Sequence, residues 1–158
     1  MNFDTAFTLL LEHEGGFSDH AADPGGKTRY GITEAVARRV GYRGDMRELP
    51  LELAKRIYLE DYWKPVRAEE LPHGVRYVVF DTAVNSGVGQ AARWLQRAVG
   101  VKDDGVIGPV TLAAVNQYPA ESLRLAFLAQ RLRFMAGLAN WPAFGRGWAR
   151  RIADLMEA

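Results

Sequence analysis

Two carboxylates near the start of the chain, Glu14 and Asp23, stand nine positions apart in a stretch rich in glycine. Their types suit a proton donor and a second acid working on one bond. A glutamic acid kept protonated near neutral pH can protonate a leaving oxygen, which glycosidic cleavage requires. The preceding residues give Glu14 a suitable environment. At about 100° per residue, Phe3, Phe7 and Glu14 fall nearly on one line of a helix, while Glu12 falls on the opposite face. Glu14 therefore continues an apolar stripe at its C-terminal end. Partial desolvation there disfavours the charged form, and the negative end of the helix dipole pushes the same way. The competing role for Glu14 is a cap on the following loop, accepting backbone N–H bonds.

The loop itself reads Asp23-Pro24-Gly25-Gly26-Lys27-Thr28-Arg29-Tyr30-Gly31-Ile32-Thr33. Glycines at 15, 16, 25, 26 and 31 allow backbone to approach a bulky ligand closely. An acid at a helix end, facing a glycine-lined loop with a second carboxylate, suits a cleft for a polymer. In an inverting reaction Asp23 would position water with help from Thr28, with carboxyls about 6.5–9.5 Å apart, against about 5–5.5 Å for a retaining pair. Alternatively, Asp23 simply initiates the Asp-Pro-Gly-Gly turn. Asp19 and His20 read as solvated surface. Further along, Asp81 and Asn85 stand one helical turn apart on an otherwise apolar helix. Buried polar groups must be paired, so they either brace one another and nearby backbone or face a ligand. Tyr30, Tyr62 and Trp63 offer faces for stacking, or else belong to the core.

The elements that must hold these residues are helical. Phe3, Ala6, Phe7, Leu10 and Leu11 predict an amphipathic helix over 3–14, ended by Gly15-Gly16. Residues 17–31 form a loop, with room for a short β-hairpin within 17–32 that ends near Arg29-Tyr30-Gly31. Thr33 caps a helix over 34–40, and another runs from Pro50 to Trp63. Residues 72–86 are apolar on nearly every side, which marks a buried central helix. Gly87-Val88-Gly89 breaks it. Helices follow over 90–99, from Pro109, over 120–139 and over 142–156, the last with Trp141, Phe144, Trp148, Ile152 and Leu155 on one stripe. The fold class is mainly α, packed around 72–86. The glycine break divides a lobe over 1–88 from one over 89–158, the two packed as one compact unit.

Composition narrows the chemistry. A chain of 158 residues with 48% hydrophobic content can bury a full core. It has no cysteine, which excludes disulfides, thiolate zinc sites and cysteine nucleophiles. Three histidines, at 13, 20 and 73, leave little material for a metal cluster, so no metal or cofactor is expected. A formal net charge of +1 argues against a nucleic-acid binder. The charge is uneven, however. Residues 1–23 carry acids and neither Lys nor Arg, whereas residues 120–158 are modestly basic through Arg124, Arg131, Arg133, Arg146, Arg150 and Arg151. The basic face of the last helix is either solvated or directed at an anionic envelope. No run is long and apolar enough to span a bilayer, and the first residues lack the positive segment of an ordinary signal peptide.

The run His13-Glu14-Gly15-Gly16-Phe17, followed by Asp23 to Thr33, resembles the glycoside hydrolase family 108 lysozymes, a group that includes phage endolysins and the typhoid-toxin-secretion muramidase. The resemblance extends through Ile57-Tyr58, Tyr62-Trp63-Lys64-Pro65 and Phe80 to Gly87, and so spans essentially the whole chain. It implies a lysozyme-like helical fold and an N-acetylmuramidase that cuts the β-1,4 bond between N-acetylmuramic acid and N-acetylglucosamine, with Glu14 as general acid. Glu14, Asp23, Thr28 and Gly31 also resemble, in order, the active-site run of phage T4-type lysozymes, with one residue's difference before Thr28. Asn85 resembles a sugar-binding position of other lysozymes, where it would hydrogen-bond N-acetyl groups. Ala92, Leu95-Gln96 and Asp104 to Thr111 resemble the peptidoglycan-binding segment that accompanies the family, although Asp-Gly and Gly-Pro there also serve purely as turn and helix start. The implied partner is bacterial peptidoglycan, bound by a monomer. It would be made in the cytoplasm and released by a holin or another export route to the periplasm or cell wall. Two alternatives use the same residues: a lytic transglycosylase acting through Glu14, and a non-catalytic peptidoglycan-binding module. An amidase or endopeptidase lacks its zinc or Cys-His set.

Overall fold

The chain opens with helix α1 (Phe3–His13), which forms because its first free N–H groups and its apolar face are both provided for. The Asn2 side chain accepts from the Thr5 N–H and hydroxyl, each at 3.0 Å, and Asp4 sits in the first turn near the positive dipole end. Phe3, Ala6, Phe7 and Leu10 are buried, each large side chain stabilising the fold by roughly 2 kcal/mol.

The computed structural model describes residues 1–13, 16–19 and 26–158. Among them are eight α-helices and one two-stranded antiparallel sheet, and the chain divides into two compact units. The unit over Asn2–Asp61 holds α1, strands β1 (Thr28–Arg29) and β2 (Ile32–Thr33), α2 (Glu34–Arg39) and α3 (Leu51–Tyr58). Thr33 ends β2 and caps α2, its hydroxyl accepting from the Val36 N–H at 3.3 Å. Arg38 closes α2 by donating to the carbonyls of Tyr42 and Gly44. The helix expected from Pro50 to Trp63 is α-helical only to Tyr58; Leu59–Trp63 widens into a π turn.

The second unit comprises Met1 and Tyr62–Ala158. Its centre is α4 (His73–Ser86), buried from Val75 to Ala83 except at Arg76 and free of any strong amphipathic bias. Around it stand α5 (Val88–Ala98), α6 (Pro109–Val115), α7 (Ala120–Ala136) and α8 (Trp141–Glu157). α4 packs on α5 and α7, and α7 also packs on α5 and α8. One residue, Gly87 at φ 90°, separates α4 from α5. That left-handed conformation is open to glycine and costly for side-chain-bearing residues. Its N–H still donates to Ala83 and its carbonyl accepts from Ala91, so both of its own backbone groups are bonded across the bend.

Candidate functional site

Glu14 and Asp23, the expected acid and its partner, lie outside the described residues. The nearest described residues on either side belong to α1 and the hairpin. α1 ends at His13, immediately before Glu14. On the other side, Thr28 pairs with Thr33 and Arg29 with Ile32 in the hairpin. Ser18 and Thr28 exchange N–H···O bonds at 2.8 Å each way, a single bridge that sets Ser18 beside β1.

The hairpin turns on Tyr30 and Gly31 alone, at φ 52° and 75°. Positive φ at both central positions is the turn whose twist matches that of the strands. Glycine adopts it freely; for tyrosine it costs about 1 kcal/mol. Three contacts hold Tyr30 there. The Tyr58 hydroxyl donates to its carbonyl at 2.9 Å. The Arg29 guanidinium lies 4.9 Å above its ring and donates to its hydroxyl at 3.1 Å. Tyr58 is buried in α3, with its ring 5.6 Å from that of Phe7 in α1. One side chain thus connects the turn to the helix that precedes Glu14.

Ile32 is buried and anchors the hairpin, while Thr28, Arg29, Tyr30 and Gly31 remain half-exposed. The Thr28 hydroxyl donates to the Gly26 carbonyl at 3.2 Å. The structure therefore brings Thr28, Tyr30 and Gly31 together on one tight turn. Sequence reasoning missed the two residues that fix it, Tyr58 and Arg29. Tyr58 lies 28 positions from Tyr30, and a single hydroxyl bond leaves no periodic trace.

The other expected residues belong to the second unit and divide into two environments. Trp63 takes the core alternative: it is 1% exposed, meets Phe80 edge-on at 5.2 Å, and donates its indole N–H to Glu69. Tyr62 beside it is half-exposed. Asp81 is fully enclosed. Arg131 from α7 donates to one carboxylate oxygen at 2.6 Å and to the Thr82 hydroxyl at 2.9 Å. Arg151 from α8 donates to the other oxygen at 2.6 Å. Of the two roles open to Asp81, it takes bracing, because no oxygen faces solvent. Arg151, expected on the solvated basic face of the last helix, is instead turned inward by this carboxylate. Asn85 is exposed, and its amide N–H donates to the Asp81 carbonyl at 2.8 Å, which fixes the side chain's orientation.

A second polar knot joins α5, the 103–108 turn and α6. The Gln96 amide, 1% exposed, donates to the Asp104 carboxylate, the Val106 carbonyl and the Thr111 hydroxyl at 2.8–3.1 Å. Its carbonyl accepts from the Gly105 N–H at 2.9 Å. The Gln96 amide, then the Val106 N–H, hold the Asp104 carboxyl below the usual carboxylate range. Among the described residues, no group of three or more acidic, His or Cys side chains is placed to hold a metal, and no helix is long and apolar enough to cross a membrane.

These arrangements coincide with two family matches. Residues 7–87 match Glycosyl hydrolase 108, and residues 90–153 match the Predicted Peptidoglycan domain. The chain belongs to the glycosyl hydrolase 108 family and is a glycoside hydrolase directed at peptidoglycan. The solved structure of SagA from Brucella abortus is similar throughout, with a TM-score of 0.88 at 37% identity, covering 98% of this chain and 91% of that one. The mainly α, lysozyme-like fold expected from the sequence is the fold observed. Among curated proteins, none matches the chain.

Proposed function

We propose that the protein is an N-acetylmuramidase, with Glu14 delivering a proton to the glycosidic oxygen between N-acetylmuramic acid and N-acetylglucosamine. Asp23, assisted by Thr28, positions the attacking water. Tyr30, Gly31 and Tyr62 line the sugar path, and Asn85 hydrogen-bonds an N-acetyl group. Asp81 serves the glycan indirectly, by clamping the helix that presents Asn85. The catalytic lobe spans 1–88 and the wall-binding lobe 89–158. The protein acts as a monomer in the periplasm or cell wall, after synthesis in the cytoplasm and release through a holin or comparable route.

The observation that carries this reading is the burial phase of α1. Phe3, Ala6, Phe7 and Leu10 are buried while Glu12 is exposed, which supports the assignment of Glu14 to the desolvated side. The test compares wild type with Glu14→Gln on purified peptidoglycan, with mass spectrometry of the products. We expect new reducing-end muramic acid from wild type and a rate lower by at least about a hundredfold in the variant. Anhydro ends would make the enzyme a transglycosylase, and full activity in Glu14→Gln would remove the acid. Retained activity in Asp23→Asn would reduce that residue to a turn former.

A further inference from the structure

Two arginines of the first unit are laid over aromatic rings in the same way. The Arg29 guanidinium lies 4.9 Å above the Tyr30 ring, and the Arg47 guanidinium 4.9 Å above the Phe17 ring. Backbone pairing sets them on one face. Ile32 is the cross-strand partner of Arg29, so both side chains leave the hairpin on the same side. Ser18 stands opposite Thr28, and alternation along the chain then turns Phe17 to the side of Arg29. Arg47 reaches that side from the short 3₁₀ turn Met46–Glu48, which packs on β1. Buried Met46 and Leu49 anchor this turn, and Asp45 caps it by accepting from the Arg47 N–H at 2.8 Å. Ile32 is the buried end of the face, whereas Phe17, Arg29 and Arg47 are exposed or half-exposed.

Other cations of this unit are already engaged: Arg38 pairs with Glu34, Lys55 with Asp4 and Arg39 with Asp61. Among the described residues, the Arg29 side chain donates only to the Tyr30 hydroxyl. Arg47 has Asp45 at 3.7 Å, beyond hydrogen-bond length, and an exposed pair of that kind is weak. A guanidinium held flat on a ring keeps an outward fork of N–H groups and loses little freedom when a carboxylate docks on it. The pair is also close in sequence to the chemistry. Phe17 stands three residues after Glu14, and Ser18 and Thr28 frame the stretch that carries Asp23.

We infer that Arg29 and Arg47 are specificity residues that bind carboxylates carried on the lactyl side of muramic acid. They favour the acidic wall glycan over a neutral β-1,4-linked one. A guanidinium fork meets a carboxylate through two parallel N–H···O bonds, and a polymer of N-acetylglucosamine alone offers no such anion. The inference rests on the proposed muramidase function, whose substrate it narrows, and it involves none of residues 90–153.

The test measures glycan release by the full chain from native sacculi and from sacculi whose carboxyl groups have been converted to amides with carbodiimide and ammonia. The parent should show a KM about tenfold lower on the native material. Arg47→Gln, whose side chain takes no part in the Tyr30 turn, should raise KM on native sacculi about threefold to tenfold and leave it unchanged on amidated ones. Arg29→Gln should do the same, and the two together should erase the preference. Arg47→Lys keeps the charge without the fork and should restore only part of the loss. Arg56→Gln, the same charge change at an exposed site of α3, should match the parent. Sacculi stripped of stem peptides by an amidase separate two carboxylate sources. An Arg47→Gln defect that survives stripping assigns the lactyl carboxylate, and one that vanishes assigns the stem peptide; either supports the inference. Equal KM of the parent on native and amidated sacculi would overturn it. So would losses of equal size on both materials, which mark a folding role. A parent-like Arg47→Lys, with every effect removed by salt, would overturn it as well, by reducing the pair to general attraction to an acidic matrix. Release of no fragments by the parent would sink the muramidase alone; retention of the Arg47→Gln chain on native against amidated sacculi would then decide the arginines.

Discussion

The two units handle their polar groups in opposite ways. In the second, Asp81 and Gln96 are enclosed and every strong bond they make ends on another part of the same unit. In the first, the hairpin is held from behind, by Tyr58 and the buried Ile32, while Thr28, Arg29 and Tyr30 stay half-exposed. Enclosed polar groups fix helices relative to one another and have nothing left to offer a ligand. Half-exposed ones on a rigid turn keep their outer surface available. The difference separates a scaffold that is stabilised by polar contacts from a loop that presents them.

Substitutions can break this contrast. The largest effect is expected at Asp81→Ala, which leaves the buried Arg131 guanidinium and the partly buried Arg151 without their anion and should lower unfolding stability by about 3–5 kcal/mol in urea titrations. A loss below about 1 kcal/mol would mean that the enclosed cluster is not structural. Gln96→Leu should follow at roughly 2–3 kcal/mol, because the Gly105 N–H and the Thr111 hydroxyl lose their buried partner. Tyr58→Phe removes the hydroxyl that donates to the Tyr30 carbonyl and should cost about 1 kcal/mol of stability. Its effect on peptidoglycan turnover should exceed that of Gln96→Leu measured on equally folded samples; the reverse order would dissolve the contrast.

The smallest effect concerns acid. The Asp104 carboxyl titrates below its unfolded value, so its contribution is present above the ordinary carboxylate range and is lost as pH falls through its folded value. Stability should therefore decline gently on acidification below that range, and Asp104→Asn should flatten the decline. An unchanged slope in the variant would assign the acid sensitivity to other groups.

Much of the scaffold was legible in the sequence because periodicity is local. The all-apolar run before Gly87 is α4, Thr33 caps α2, and Pro109 starts α6. The hairpin was legible as a place more than as a structure: Tyr-Gly marks a turn, yet nothing local announces that Tyr30 itself adopts positive φ. Long-range polar pairing was invisible. Asp81 finds Arg131 and Arg151 at separations of 50 and 70 residues, and no spacing rule connects them. For the same reason Arg151 read as surface. Phe144 misled in the other direction, since a stripe drawn on a helix wheel does not reveal where the neighbouring helix stops covering it.

The position of α4 bears on how such enzymes can change over generations. The family segments meet between residues 87 and 90, yet the compact unit begins at Tyr62 and joins α4 to everything downstream. A recombination at the family border would transplant α5–α8 without the helix whose carboxylate neutralises Arg131 and Arg151. Where the recipient's helix brings no carboxylate to that position, the hybrid would carry two cations without their anion. Grafts that carry residues 62–158 intact keep the cluster whole, a stretch longer than the Predicted Peptidoglycan match that also takes in the end of the Glycosyl hydrolase 108 match.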